Sequence, residues 1–324
     1  MSSVSYVSTV ENLSKIGDIL TIFINSILIF ITHYHIQTIT DAYKIQIILF
    51  ASLGIVFSIL ESFIHPFMHS YNSSFNYFTT SPVFGASKPF KTALLLLWSC
   101  LYAVFICLIA IQFFYRFLLI SGSRNIKIFT GNRVFWLFLY VFLGVIIWIL
   151  SICQGTSNDF SDGYLREEMR KEYASDIQQV PGFFMIVYEP SSPDDNTGRH
   201  LRPPALLYVG GVSVFLLSQY SVILYCSLQI QKTLSCLTRS PESLRLQKQI
   251  FRTMVFQTLA PSVFHHLPIF LVYFLCFFDL EISVPSGLMI GCFSFFPVAD
   301  SLILMSLVGE YRKAVKKLFF GWLH

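Results

Sequence analysis

The residues that could do chemistry here are few, and each lies inside or beside a long apolar run. Asp300 interrupts "FFPVADSLILMSL", Glu61 sits in "FSILESFIH", and His265–His266 follows "APSVF". Hydrolysis or group transfer within a bilayer needs two carboxylates at one depth, or a set of metal ligands. Glu61 lies 16 residues beyond Ile45, roughly 24 Å along a helix. Asp300 lies 15 residues beyond Pro285, roughly 22 Å along a helix running the other way. One carboxylate therefore falls near the outer leaflet and the other in the inner half, so no dyad is expected. The eight His are scattered, and adjacent His on a helix point to different sides, so no metal site is expected at 265–266. GxSxG, HExxH, Walker and GxGxxG patterns are absent. These observations argue against an enzyme, and no cofactor or metal is called for.

Other polar groups suggest switching rather than catalysis. Polar side chains in a bilayer are costly and are usually paired or functional. Asn25 in "FINSILIF" lies near mid-membrane. If the first and last helices are neighbours, its amide is expected to meet the Asp300 carboxylate. Pro261, Pro268 and Pro297 each lack the N–H that would bond four residues back. They free the carbonyls of Gln257, Phe264 and Phe293 and offer hinges. Arg116 in "QFFYRF" is 25 residues past Lys91, roughly 37 Å along a helix and more than the ~30 Å bilayer core. That places it at the cytosolic mouth, as a snorkelling anchor or as a latch or docking residue.

The elements that hold these residues follow from composition. Of 324 residues, 54% are hydrophobic and only 12% charged, with 34 Phe. A soluble domain carries about twice that share of charge. The net charge of +4 is small and dispersed, which gives no sign of nucleic-acid binding. The seven Cys lie mostly in apolar runs without CxxC spacing and read as core hydrophobes. Apolar stretches of about 20 residues, each long enough to span a bilayer, fall near 17–36, 45–65, 91–120, 133–153, 204–230, 251–276 and 285–308. The fold class expected is an all-α membrane protein, one seven-transmembrane-helix bundle covering 1–324. No internal repeat is visible, which weighs against inverted-repeat transporters.

Lys and Arg in the short loops set the orientation. Arg116, Arg124, Lys127 and Arg133 flank one loop, and Lys232, Arg239, Arg245 and Lys248 lie in another. Arg312, Lys313, Lys316 and Lys317 begin the tail, 309–324. On the other side, Asp279 and Glu281 follow the sixth helix, and 154–203 carries nine acidic against five basic residues. The expected arrangement has the N-terminus outside, 154–203 as an extracellular loop and the C-terminus cytosolic. Lys88 and Lys91 dissent from this rule. The sequons at Asn12 and Asn72 fall on the outer side, with Asn72 the better glycosylation candidate.

Four stretches resemble a known family, the nematode serpentine chemoreceptors of class r (the str group and its close relatives). "HPFMHSYNSSF" (65–75) resembles its basic-residue–Pro–x–x–His stretch with a following Phe. "QFFYRF" (112–117) resembles H-F-x-Y-R-Y. "LQKQIFRTMVFQTLAPSVFHHLP" (246–268) is the most specific match, to L-Q-K-Q-L-F-K-A-L-x-x-Q-T-x-x-P-x-x-x-x-x-x-P. "FFPVADSLILMSLVGEYRKAV" (295–315) resembles P-x-x-D-P-L-I followed by D/E-Y/F-R-x-x-I/V. Gln112 replaces the family's His, Ser301 replaces the Pro after the Asp, and His265 and His266 stand where apolar residues are usual. Apart from Cys153 at its edge, 154–203 has no Cys, so the helix-three-to-loop disulfide of rhodopsin-like receptors is not evident.

The resemblance implies a G-protein-coupled chemosensory receptor of olfactory type. It would be multi-pass in the plasma membrane, in the sensory ciliary membrane of a neuron. A small odorant or soluble cue would bind among helices three, five, six and seven and enter from outside. Expected lining residues, chosen by depth and polarity, are Tyr102, Tyr220, His265, His266 and Tyr273. The expected switch network is Asn25, Pro261, Pro268, Pro297 and Asp300. Tyr115, Arg116, Arg245, Lys248, Arg252 and Arg312 are expected to face a cytosolic heterotrimeric G protein. The alternatives are a ligand-gated channel or transporter, and a non-signalling helper of other receptors.

Overall fold

The first helix outruns its apolar stretch at the N-terminal side. In the computed structural model, α1 (Ser3–Tyr34) begins well before position 17. Its front half carries an exposed Glu11–Lys15 pair, one helical turn apart at 3.9 Å. The structure describes residues 3–37, 39–81, 85–189, 200–236, 241–278 and 287–320. Asp194, Asp195, Arg199, Arg239, Asp279 and Glu281, and the expected helix start at Pro285, lie outside these. α2 (Asp41–Ile64) opens with an acid suited to the helix dipole. It closes at His65 in the left-handed conformation, φ 45°. α3 (Lys88–Ile120) starts with a proline in its first turn. α4 (Phe135–Ile152) and α6 (Pro203–Cys236) flank it. The span of α3 is 67% buried and that of α4 only 22%, so α3 is the axis of the bundle and α4 its outer wall.

Between the helices the chain builds a small plate. A hairpin joins β1 (Phe67–Tyr71) and β2 (Ser74–Phe78), with Asn72 at φ 47° in the turn. The segment expected as a plain loop, 154–203, folds into α5 (Asp159–Tyr173), β3 (Gly182–Ile186) and the short strands β4 (Tyr188–Glu189) and β5 (His200–Leu201). Asn158 caps α5: its side chain accepts from Ser161 N–H and its own N–H donates to Ser161 Oγ, both at 2.9 Å. β3 pairs antiparallel with β2 to give the order β1-β2-β3. Alternation divides the plate's faces. Met68, Phe75, Tyr77, Phe183 and Met185 join the core of the helix bundle. Phe67, Phe78 and Phe184 join Leu165, Met169 and Ile177 in a second cluster under α5. Lys88 and Lys91, which dissent from the charge rule, donate to Gln178 O (2.8 Å) and Ser81 O (3.0 Å) at this end. Asn72 is half-buried in the turn and Asn12 is exposed on α1.

The last two crossings are broken. α7 (Pro241–Pro261) begins ten residues before position 251, because its polar front extends the helix past the apolar run. Ser262–His266 form a π turn, and α8 (Leu267–Phe277) completes the crossing. α9 (Gly287–Phe293) stops at Ser294–Phe295, and α10 (Phe296–Leu307) resumes. α11 (Gly309–Phe320) leaves at the tail end. All three prolines sit at seams: Pro261 ends α7, Pro268 lies in the first turn of α8 and Pro297 in that of α10. Pro297 therefore restarts a helix rather than bending one. Among the described residues six helices are long and apolar enough to cross a bilayer, and α7–α8 makes the seventh crossing.

Candidate functional site

A cavity lies under the plate, ringed by α3, α4, α6, the π turn, α8 and α9. Tyr102, His265, His266 and Tyr273 line it, with Trp98, Trp148, Tyr208 and Phe293. Met68, Phe75 and Tyr77 of the plate close it above. Adjacent His were expected to diverge, yet both face this cavity, with ring centroids 5.5 Å apart. The cause is the π turn, whose extra residue reduces the rotation from one side chain to the next. Tyr220 stands one layer behind. Its hydroxyl bonds His266 Nδ1 at 2.9 Å and Ser262 Oγ at 2.7 Å. Tyr102 hydroxyl bonds Nε2 of the same ring. A neutral imidazole donates from one nitrogen and accepts at the other, so the two tyrosines clamp His266. Most polar atoms at the wall are thus engaged; Trp148 Nε1 and His265 Nδ1 are buried without a partner.

Beside the cavity, behind Trp98, polar groups run between the helices. Glu61 accepts from Trp98 Nε1 at 3.3 Å and from Ser294 Oγ. Asp18, buried on α1, accepts from Ser62 Oγ at 2.7 Å. Deeper, the expected Asn25–Asp300 contact does not form. Ser301 donates to Asn25 Oδ1, while Asp300 Oδ2 accepts from Gln257 Nε2 at 3.0 Å. One residue of helix rotation explains the difference: α10 turns Ser301 toward α1 and Asp300 toward α7. Ser301, the departure from the family pattern, is therefore the partner of Asn25. Gly54 makes room for that amide, since a Cβ there would overlap Asn25 Nδ2 and lie 3.1 Å from Pro297 Cβ.

The tail end combines buried and open cations. Arg116 is 3% exposed, so it does not snorkel. Its guanidinium lies 3.7 Å over the Tyr43 ring of α2. Nη1 donates to Gln247 of α7 at 3.3 Å, while Nε and Nη2 have no partner. Tyr115 is buried too, its hydroxyl 2.7 Å from Thr40 Oγ1. Arg245, Lys248, Arg252 and Arg312 are exposed. Arg245 and Arg312 line a groove between α7 and α11, with Gln249, Lys313 and Lys316. Gln249 ties the two elements by accepting from Gly309 N–H at 3.1 Å.

Four of the five expected lining residues share the cavity and Tyr220 supports it. Of the switch residues, Asn25, Pro297 and Asp300 lie at the α1–α10–α7 seam, paired differently, Pro261 ends α7 and Pro268 stands apart in α8. Of the residues expected on the cytosolic face, four are open and Tyr115 and Arg116 are internal. The roof strands and Trp98, Trp148 and Phe293 were missed, although the alternation of "SFNYF" is a strand signal. All seven Cys are free, and no cluster of three or more metal-ligating side chains occurs among the described residues.

Seven crossings, a cavity at one end and a basic groove at the other define a multi-pass membrane protein of serpentine-receptor architecture. Residues 10–316 match the family described as serpentine type 7TM GPCR chemoreceptor Str, and the chain belongs to that family. It is 38% identical over 304 residues to the G-protein coupled receptor str-33 of Caenorhabditis elegans, covering 92% of this chain and 87% of the relative. It is 23% identical over 322 residues to serpentine receptor class r-10 of Caenorhabditis briggsae, covering 98% and 93%.

Proposed function

We propose that the protein is a chemosensory receptor that binds a small, neutral, mostly apolar molecule in the cavity and signals to a cytosolic heterotrimeric G protein. The supporting observation is the pairing of an aromatic cavity, almost all of whose polar atoms are already bonded, with broken helices that lead to a basic groove. An apolar ligand suits such walls, and His265 Nδ1 and Trp148 Nε1 offer one polar group something to bond. The plate end faces outside, where Asn72 in the hairpin turn is the better-placed glycosylation site and Asn12 the poorer. The tail end faces the cytosol, where the Arg245, Lys248, Arg252 and Arg312 surface suits an acidic or amphipathic segment. Ligand-driven repacking at the Pro261, Pro268 and Pro297 seams links the two ends, and the Arg116 latch, with Tyr115 beside it, holds α7 through Gln247 until the helices shift. The working location is the plasma membrane of a sensory neuron, at its cilium.

A G-protein reporter in a calcium-imaging host, challenged with volatile and soluble compounds, tests this reading. A response lost with Arg116→Ala, at unchanged surface expression, is expected. Ligand-evoked current that persists without any G protein would overturn it.

A further inference from the structure

The cavity is shut where a ligand from the water would enter. Met68, Phe75 and Tyr77 cross its mouth and are at most 7% exposed. Leu165 and Met169 of α5 seal the plate's other face, both at 1%. On the flank of the bundle the situation differs. An apolar groove of about 260 Å³ runs between α7 and α9–α10, lined by Ala260, Pro261, Cys292, Phe295, Phe296 and Ala299. Cys292 at its lip is exposed, as are Leu259 and Val263 beside it. All of these belong to membrane-crossing segments, so the groove opens to lipid.

Groove and cavity share two residues, His265 and Phe293. Their rings stack with centroids 4.0 Å apart and 27° between planes. Two side chains are therefore the partition between this groove and the cavity. Both hang from weakened backbone: His265 from the π turn, and Phe293 from the end of α9, where Phe295 N–H reaches back only to Cys292 O at 3.2 Å. His265 Nδ1 has no partner to lose when the ring swings. Ala260 and Ala299 leave the groove clear of bulk.

We propose that this groove is a lateral portal gated by His265 and Phe293, through which a neutral ligand dissolved in the bilayer reaches the cavity. The proposal rests on reading the cavity as the ligand site and narrows the ligand class. A charged or strongly hydrated compound would lose its water in the lipid and again in the groove with no polar group to replace it. A compound that partitions into the bilayer meets no such barrier.

The test uses the full chain in lipid nanodiscs and bromobenzene, a bilayer-soluble quencher of indole fluorescence. Trp136→Phe with Trp322→Phe leaves Trp98 and Trp148, both at the cavity wall. Stopped-flow addition is expected to quench them. Ala260→Phe and Ala299→Phe, made separately, fill the groove and are expected to slow entry roughly tenfold by obstructing the path. Ala299→Val should give a smaller slowing. The final extent of quenching should stay unchanged, because the cavity itself is untouched. Three results would overturn the portal: no quenching in the parent, equal rates in parent and filled variants, or acceleration by Phe270→Ala alone, which would move entry to the α6–α8 seam. Failure of the receptor reading would show instead as silence in the reporter assay while bromobenzene still entered.

Discussion

At the plate end of the bundle, rings do the packing. Tyr102 alone meets Trp148, His265, His266 and Phe293 with centroids between 4.8 and 5.7 Å, and two hydrogen bonds at the cavity wall tie one aromatic ring to another through His266. At the other end, below Asn25, amides, a carboxylate and a guanidinium link the helices one contact at a time. Arg116 sits between Tyr43 and Gln247, with two of its nitrogens unsatisfied. Aromatic packing is dense and nearly non-directional, so it stabilises one arrangement. Sparse polar contacts with unmet donors cost stability but can be exchanged for others when helices shift. The first end is suited to hold a shape, and the second to change one.

Substitutions can break this contrast, and the largest effect belongs to the plate end. Tyr102→Ala should lower stability by about 3–5 kcal/mol, the range for deleting a buried ring, read as a fall in Tm of the purified protein. Tyr102→Phe keeps the ring and should cost only about 1 kcal/mol. Equal losses would mean that the hydroxyl, and not the packing, carries this end.

Arg116→Met should act in the opposite direction. Replacing a poorly paired buried charge with an apolar side chain is expected to leave stability unchanged or raise it by about 1–4 kcal/mol, while the reporter response disappears. A large drop in Tm would show Arg116 to be a structural residue and would end the contrast.

Asp300→Ala leaves Gln257 Nε2 only its 3.3 Å bond to the backbone carbonyl of residue 300 and should cost about 1–2 kcal/mol, whereas Asp300→Asn retains a side-chain acceptor and should cost less. A Ser301→Ala change should cost about as much as Asp300→Ala, by stranding Asn25. Because the two pairs do not share an atom, the double substitution should be nearly additive. Strong coupling would restore the single Asn25–Asp300 network.

The smallest expected effect lies outside the membrane, where α5 grips the plate. His69 Nε2 and Glu168 Oε1 are 3.0 Å apart and buried, with Glu172 and Tyr173 beside the ring. Burial lowers the imidazole pKa more than the Glu168 hydrogen bond and charge raise it. A lowered His pKa favours docking of the neutral form. The docking contribution is therefore complete above the ordinary imidazole value of about 6.5 and is lost as pH falls from there through the lowered folded value. Hydrogen-exchange protection factors of β1 and α5, with the intrinsic pH dependence divided out, should fall modestly on going from about pH 7.5 to about 5.5. Higher protection in acid would reverse the sign and make the pair an acid-strengthened latch.

Much of the frame can be read in one dimension. A bilayer crossing needs only length and hydropathy, so the spans from 45 to 65 and from 91 to 120 lie within four residues of α2 and α3 at each boundary. The front of α7 escapes that reading because "PESLRLQKQ" is polar, and a helix end beyond the membrane leaves no hydropathy trace. The plate escapes it for another reason. Five-residue strands such as "SFNYF" are short beside the helical runs, and the pairing of that strand with "GFFMI", over a hundred residues away, is non-local. His265 and His266 are misjudged by any regular-helix projection, since the π turn that brings them together arises from the surrounding packing.

Sequence by itself determined the seven crossings, the basic tail and the family, because these depend on composition, spacing and motif order along the chain. Tertiary structure alone decided that Ser301 rather than Asp300 holds Asn25, that Arg116 is internal, that strands roof the cavity and that two stacked rings stand between it and the groove beside α7. Each of those outcomes depends on which way a side chain points within a helix turn and on what stands opposite. A change of one residue in helical phase alters the partner while leaving hydropathy almost untouched.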